Sequence, residues 1–215
     1  MEARALPTKE RIGPIITKLK AHYPGATTAL LHDNPLQLLV ATILSAQCTD
    51  ARVNLVTRDL FQRYRTAADY ARARPEQFEQ EIKSTGFFRN KTKSIIGMAQ
   101  ALEERHGGQV PRTMEELTQL LGVGRKTANV VLGSAFGLNV GVVVDTHVAR
   151  LSRRLKLTRQ TDPVKIEQDL MKLVPREEWT AFSHLLIHHG RQICDARRPK
   201  CEICPVNDLC PSSLV

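Results

Sequence analysis

No stretch of this 215-residue chain is apolar for long enough to cross a bilayer. The longest candidate, Leu36 to Ala46, is interrupted by Gln37, Thr42 and Ser45 and is about half of the ~20 residues a span requires. No membrane association is expected. The first nine residues carry Glu2, Arg4 and Lys9 and lack the apolar core of a secretory signal, so the protein is expected to stay where it is made. There are no repeats, low-complexity tracts or flexible linkers, so any division into lobes must arise from packing. Alternating strand patterns are also missing. The long segments read with helical periodicity, punctuated by Pro, Gly, Asp and Thr, and the expected fold is all-α. Of five cysteines, four crowd between Cys194 and Cys210, which is unlike a disulfide framework spread over a secreted domain, although disulfides or buried free cysteines remain the alternative reading. That crowding suits metal ligation in a reducing compartment.

The chain does have a basic excess, 31 Lys and Arg against 22 Asp and Glu, for a formal charge of +9. Such a balance favours a polyanionic partner, although it also serves solubility. With 42% hydrophobic residues the chain can bury a core in one body or two small lobes. Asp33-Asn34-Pro35 reads as a helix start, and the apolar groups from Leu36 to Leu44 predict a central buried helix with Cys48 as a small core residue near its end. Thr113 and Glu116 fit a capping box opening a short helix that leads into Leu117, Leu120 and Leu121. Asp162-Pro163 opens another. Trp179, Phe182, Leu185 and Leu186 line a later helix that is expected to stop at Gly190.

Cys194, Cys201, Cys204 and Cys210 form a Cys-x6-Cys-x2-Cys-x5-Cys pattern, compact enough for one loop to wrap one inorganic core. On ligand chemistry alone, iron-sulfur and zinc are equally served by four thiolates. Arg197, Arg198 and Lys200 lie between the first two cysteines, where a shaped loop could offer three cations to phosphates. The same run also reads as a solvated surface.

The segment Leu120-Leu121-Gly122-Val123-Gly124-Arg125-Lys126-Thr127-Ala128 reads as helix, tight hairpin, helix, with the glycines allowing backbone to approach a phosphate. Arg125 and Lys126 fall in the first turn of the second helix. A positive helix end beside Arg125 disfavours an ammonium relative to an amine, and an amine can attack a sugar carbon. Lys126 could equally do no more than neutralise phosphate, with Lys91 or the N-terminus as competing amines. Further on, Val142-Val143-Val144 ends at Asp145, a natural cap for the helix that follows. Its carboxylate could also assist departure of a leaving group or stabilise positive charge.

Together, the hairpin Leu-Gly-Val-Gly-Arg-Lys-Thr-Ala-Asn, then Val-Asp-Thr-His, then the four cysteines resemble the endonuclease III family in that order. The likeness extends upstream to Leu44-Ser45-Ala46-Gln47 with Thr49-Asp50 and covers nearly the whole chain. The resemblance implies a [4Fe-4S] cluster on the four cysteines and a helix-hairpin-helix glycosylase fold. It divides the chain into a six-helix lobe at 29–139, with the hairpin motif at about 113–137, and a cluster lobe from 1–28 and 140–215, with a DNA groove between them. The implied activity is that of a glycosylase and abasic-site lyase acting on oxidised pyrimidines in duplex DNA. Lys126 is the implied nucleophile and Asp145 its assistant. Gln47 fills the gap left by a flipped base, Phe87 wedges the opposite side, and Gly122, Gly124, Arg125, Thr127 and His147 join the cluster-loop cations in holding DNA. A monomer in a prokaryotic cytoplasm, associated with the nucleoid, is implied too.

Two departures from the family pattern stand out. Leu121 replaces the usual proline, which should loosen the hairpin, and the segment from Gly137 to Val144 is one residue longer, which bears on the position of Asp145. Three rival functions remain open to the same motifs. A related adenine-removing glycosylase shares the cluster but lacks the hairpin lysine, so Lys126 argues against it. A non-catalytic DNA-binding module would use the hairpin for phosphate alone, and an electron carrier would use only the cluster.

Overall fold

The computed structural model describes residues 6–215; Glu2 and Arg4, whose charges interrupt the N-terminal stretch, lie outside the described residues. Among the described residues the regular structure is helical throughout, eleven α-helices with four short 3-10 turns. No described helix is long and apolar enough to cross a membrane. Packing divides the chain into two compact units, residues 28–138 and residues 6–27 with 139–215.

The first helix, α1 (Thr8–His22), belongs to the second of these units. The unit of residues 28–138 holds α2 (Pro35–Leu44), α3 (Asp50–Arg63), α4 (Ala67–Ala71), α5 (Pro75–Ile82), α6 (Phe88–His106), α7 (Met114–Thr118) and α8 (Arg125–Phe136). The start of α2 is set by Asn34, whose side chain accepts from the Gln37 N–H at 3.0 Å, with Pro35 in the first turn. Leu38, Leu39, Val40, Ala41, Ile43 and Leu44 are all buried, and α2 packs against α3, α6 and α8. It is the central helix of its unit. The capping box at α7 forms by half: the Thr113 hydroxyl accepts from the Glu116 N–H, but the Glu116 carboxylate takes the Thr113 hydroxyl at 2.6 Å.

The expectation for Cys48 needs correction, because it is not in a helix. The helix α2 ends at Leu44 and Thr49 caps α3, so Cys48 falls in the intervening turn and is only half-buried.

The other unit is built from α1 with α9 (Thr146–Arg154), α10 (Pro163–Leu173) and α11 (Trp179–Gln192). Their apolar faces meet in one core that includes Ile15, Leu19, Val148, Leu151, Ile166, Leu170, Phe182 and Leu186. Asp162 caps α10 through the Lys165 N–H at 3.0 Å, as its sequence predicts. Gly190 does not stop α11, which runs two residues further to Gln192. Its role is close approach: a Cβ there would lie 2.9 Å from His147 Nδ1 and 3.1 Å from an Arg150 guanidinium nitrogen. Arg11 is buried and donates to the carbonyls of Leu155 at 3.0 Å and Leu209 at 2.9 Å, stitching α1 to the end of α9 and to the C-terminal loop.

Candidate active site and cluster loop

In the unit of residues 28–138, the hairpin between α7 and α8 rests on α6. Gly122 has φ +79°, and a Cβ there would come within 2.6 Å of Ser94 Cβ. One turn along α6, Leu121 fills the notch left by Gly97, where an added Cβ would lie 2.8 Å from Leu121 Cδ2. Leu121 is thus held by packing against α6. Gly124 differs from Gly122: its φ of −92° is ordinary and nothing lies within 4 Å of an added Cβ.

Gly124 is also the N-cap of α8 and provides no side-chain acceptor, which leaves the first turn, with its N–H groups and partial positive charge, without a side-chain cap. Arg125 and Lys126 are exposed there and Thr127 is half-buried. Lys91 contrasts with Lys126. It is 4% exposed and its Nζ donates to Leu44 O at 2.8 Å and Thr85 O at 2.7 Å, so it is poorly placed as an attacking amine. Burial also lowers its pKa, opposed by the neighbouring Cys48.

Gln47 and Phe87 occupy two turns of the same unit. Both are exposed non-glycine residues in the left-handed region, at φ 53° and φ 48°. Such backbone is uncommon and costs free energy unless its surroundings enforce it.

In the other unit, Asp145 is the N-cap of α9. Its Oδ1 accepts from the N–H groups of His147 and Val148, each at 2.8 Å, which leaves Oδ2 outside the cap. The segment before it, residues 137–144, is tethered. Asn139 Oδ1 accepts from the Thr180 hydroxyl at 2.7 Å, and the Val143 N–H donates to Ser183 Oγ at 3.0 Å. His147 is half-buried against Gly190, with Arg150 3.2 Å from its Nδ1.

Cys194, Cys201, Cys204 and Cys210 are free, half-buried and line one cavity together with Leu151, Leu155 and Val206. Four thiols around a common cavity form a donor set that suits either a zinc ion or an iron-sulfur cluster. Burial pushes the Cys204 thiol up to about 11 and raises that of Cys210 as well. Charge compensation is therefore needed to hold thiolates here, and a metal core bound by them would supply it.

The surroundings of these sulfurs were not anticipated from sequence. Arg154 donates to Cys194 Sγ at 3.2 Å and to the carbonyls of Asp195 and Ala196 at 2.6 and 2.7 Å. Arg150, four residues earlier on the same face of α9, donates to the carbonyls of Gly190 and Cys194. That i, i+4 arginine pair was the available signal. Arg197 and Arg198 are exposed, and the Asp195 carboxylate shapes their backbone by accepting both of their N–H groups. Lys200 is exposed, but its ammonium donates to Gln192 O at 3.1 Å, near the end of α11.

Comparison with known proteins fits this arrangement. A family model described as HhH-GPD superfamily base excision DNA repair protein matches residues 40–176, and one described as the iron-sulfur binding domain of endonuclease III matches residues 194–210. The endonuclease III of Synechocystis sp. is 56% identical over 95% of this chain and 94% of its own length. A solved non-covalent endonuclease III-DNA complex aligns with a TM-score of 0.91 at 44% identity, covering 97% of each chain. A trapped endonuclease III-DNA covalent intermediate aligns equally well, again at a TM-score of 0.91 and 44% identity, over 97% of this chain and 98% of that one. The fold and the hairpin thus define a base-excision repair protein of the HhH-GPD superfamily. Within it, the chain belongs to the endonuclease III family: it is a DNA glycosylase, and its cofactor is a [4Fe-4S] cluster.

Proposed function

We propose that this protein is a bifunctional DNA glycosylase and abasic-site lyase that excises oxidised pyrimidines from duplex DNA. The observation that carries the proposal is Lys126, exposed in the first turn of α8 two residues after Gly124, whose added Cβ would meet nothing within 4 Å, while the competing amine Lys91 is buried and committed to carbonyls. In this reading the neutral Lys126 Nζ attacks C1′ of the damaged nucleotide as the glycosidic bond breaks, the base leaving with a proton; the C1′–O4′ bond of the aminal so formed then breaks, O4′ taking a proton, and C1′ and Nζ become doubly bonded. The resulting imine acidifies C2′, whose proton is lost as the C3′–O bond breaks, releasing the 3′ phosphate by β-elimination. Asp145, with one oxygen outside its cap, assists the attack and stabilises the positive charge that develops on the sugar.

The four cysteines hold the cluster, whose chemistry here is to shape the loop that carries Arg197, Arg198 and Lys200. Those three, with Gly122, Gly124, Arg125, Thr127 and His147, contact the DNA backbone, while Gln47 and Phe87 enter the duplex around an extruded base. The protein acts as a monomer on damaged or abasic duplex DNA in the cytoplasm, at the nucleoid. The existence of a trapped covalent DNA intermediate for a 44% identical endonuclease III supports the imine route.

Borohydride trapping tests this reading. The native protein should become covalently attached to DNA containing an oxidised pyrimidine. Lys126→Arg, always protonated and unable to form an imine, should bind DNA yet lose base release, strand cleavage and trapping together. Trapping that persists in Lys126→Arg means another amine is the nucleophile.

A further inference from the structure

A single buried ammonium is shared by the turns that carry Gln47 and Phe87. Lys91, in the first turn of α6, donates through Nζ to Leu44 O, three residues before Gln47, and to Thr85 O, two residues before Phe87. Its own backbone N–H donates to Phe87 O at 3.1 Å. Leu44 is the last residue of α2, where the closing carbonyls lack intrahelical partners. Thr85 closes the 3-10 turn Lys83–Thr85 that leads into Phe87. One residue therefore holds main chain next to both left-handed positions.

A charged group is an expensive way to fill buried space. A methionine would occupy the same volume without desolvating an ammonium, so packing alone does not account for a lysine here. What the ammonium adds is a tetrahedral set of donors that can hold carbonyls from two separate segments at once. Side chains that must enter a base stack gain from being held in place beforehand, because order already present is not lost on binding. Unstacking and extrusion are already costly.

We infer that Lys91 is a positioning residue for base extrusion: by tying Leu44 and Thr85 to one ammonium, it fixes the Gln47 and Phe87 turns relative to each other. The inference rests on the proposed insertion of those two side chains into DNA. It predicts an effect on extrusion that exceeds any effect on chemistry at a sugar already lacking its base.

The experiment compares single-turnover excision of an intact oxidised pyrimidine with strand cleavage at a preformed abasic site, well below the melting temperature. Fluorescence of 2-aminopurine beside the lesion reports extrusion. Lys91→Met should lower the ratio of excision to abasic-site cleavage by about tenfold or more and delay the fluorescence change. Combining Lys91→Met with Gln47→Ala should lower the ratio little beyond the worse single variant, since both act on one step. Equal slowing of both reactions by Lys91→Met, or effects of the two substitutions that simply multiply, overturns the inference. If Gln47→Ala and Phe87→Ala leave the ratio unchanged, the insertion reading itself has failed, which is a separate result. Should Lys91→Met not fold, Lys91→Gln retains an uncharged donor and should give an intermediate ratio; a native ratio in that variant refutes the clamp.

Discussion

Replacing Gly122 and Gly124 separately with alanine tests whether the hairpin serves its own fold or a ligand. At Gly122 an alanine must adopt φ +79° and place its Cβ 2.6 Å from Ser94 Cβ and 2.8 Å from Ser94 Oγ. The left-handed backbone costs roughly 1–2 kcal/mol for an L residue, and forcing a methyl group into packed space costs roughly 1–3 kcal/mol. Taken together, about 2–5 kcal/mol of destabilisation should lower Tm by roughly 5–20 °C in a chain of this size. At Gly124 the backbone is ordinary and the Cβ meets nothing within 4 Å. Alanine there should leave stability unchanged or raise it by about 0.4–1 kcal/mol, through fewer conformations in the unfolded chain. In the DNA complex, however, the new methyl would stand where a phosphate approaches the uncapped first turn of α8. Affinity for a duplex bearing a stable abasic-site analogue should fall by about tenfold or more, equivalent to ~1.4 kcal/mol. Thermal melting and equilibrium binding of both variants decide the matter. If Gly124→Ala is destabilised as much as Gly122→Ala, or binds DNA as tightly as the native protein, the phosphate-cradle account of the hairpin is wrong.

Asp145→Asn retains an oxygen for the His147 and Val148 N–H groups, so folding should survive while turnover falls by about 10²-fold, the scale of a lost positioned charge. Native-like turnover would reduce Asp145 to a cap. Arg197→Ala with Arg198→Ala should flatten the slope of log affinity against log salt by about two, one counterion per cation; an unchanged slope means both face solvent. His184 is buried, and that burial, followed by repulsion from His188, pushes its pKa from 6.5 down to about 4. Below pH 6.5 the unfolded chain gains a proton that the folded chain refuses until about pH 4, so stability is full above 6.5 and is lost as pH falls through that window, by up to roughly 3 kcal/mol. Urea denaturation at pH 7 and pH 4.5 should register the loss, and His184→Gln should shrink it. A variant with the same pH dependence would assign the effect elsewhere.

Much of the candidate site was legible because it is locally encoded. The acceptor on Asn34, Asp145 or Asp162 bonds an N–H two or three residues along the chain, so the sequence window contains both partners. The position of Lys126 in the first turn of a helix follows in the same way from Gly124 and the apolar series behind it. Where local reading went astray, the missing information lay farther away. Gly190 looked like a helix stop because glycine often is one, but it sits inside α11 to admit His147 from α9. Cys48 is the exception, because its own neighbour decides it: Thr49 caps α3 and leaves Cys48 in the turn before that helix.

By itself, the sequence determined the all-helical character, most helix starts, the family and hence the cofactor, because each depends on residues close together or on motifs in a set order. Only the tertiary structure decided which hairpin glycine is needed for packing, that Lys91 is buried on two carbonyls and is no spare nucleophile, and that Arg150 and Arg154 hold the carbonyls around Cys194. The physical reason is common to all three. A side chain's chemistry is a property of its residue type, but whether an ammonium is exposed or shared between two carbonyls depends on which distant segments the folded core brings to it.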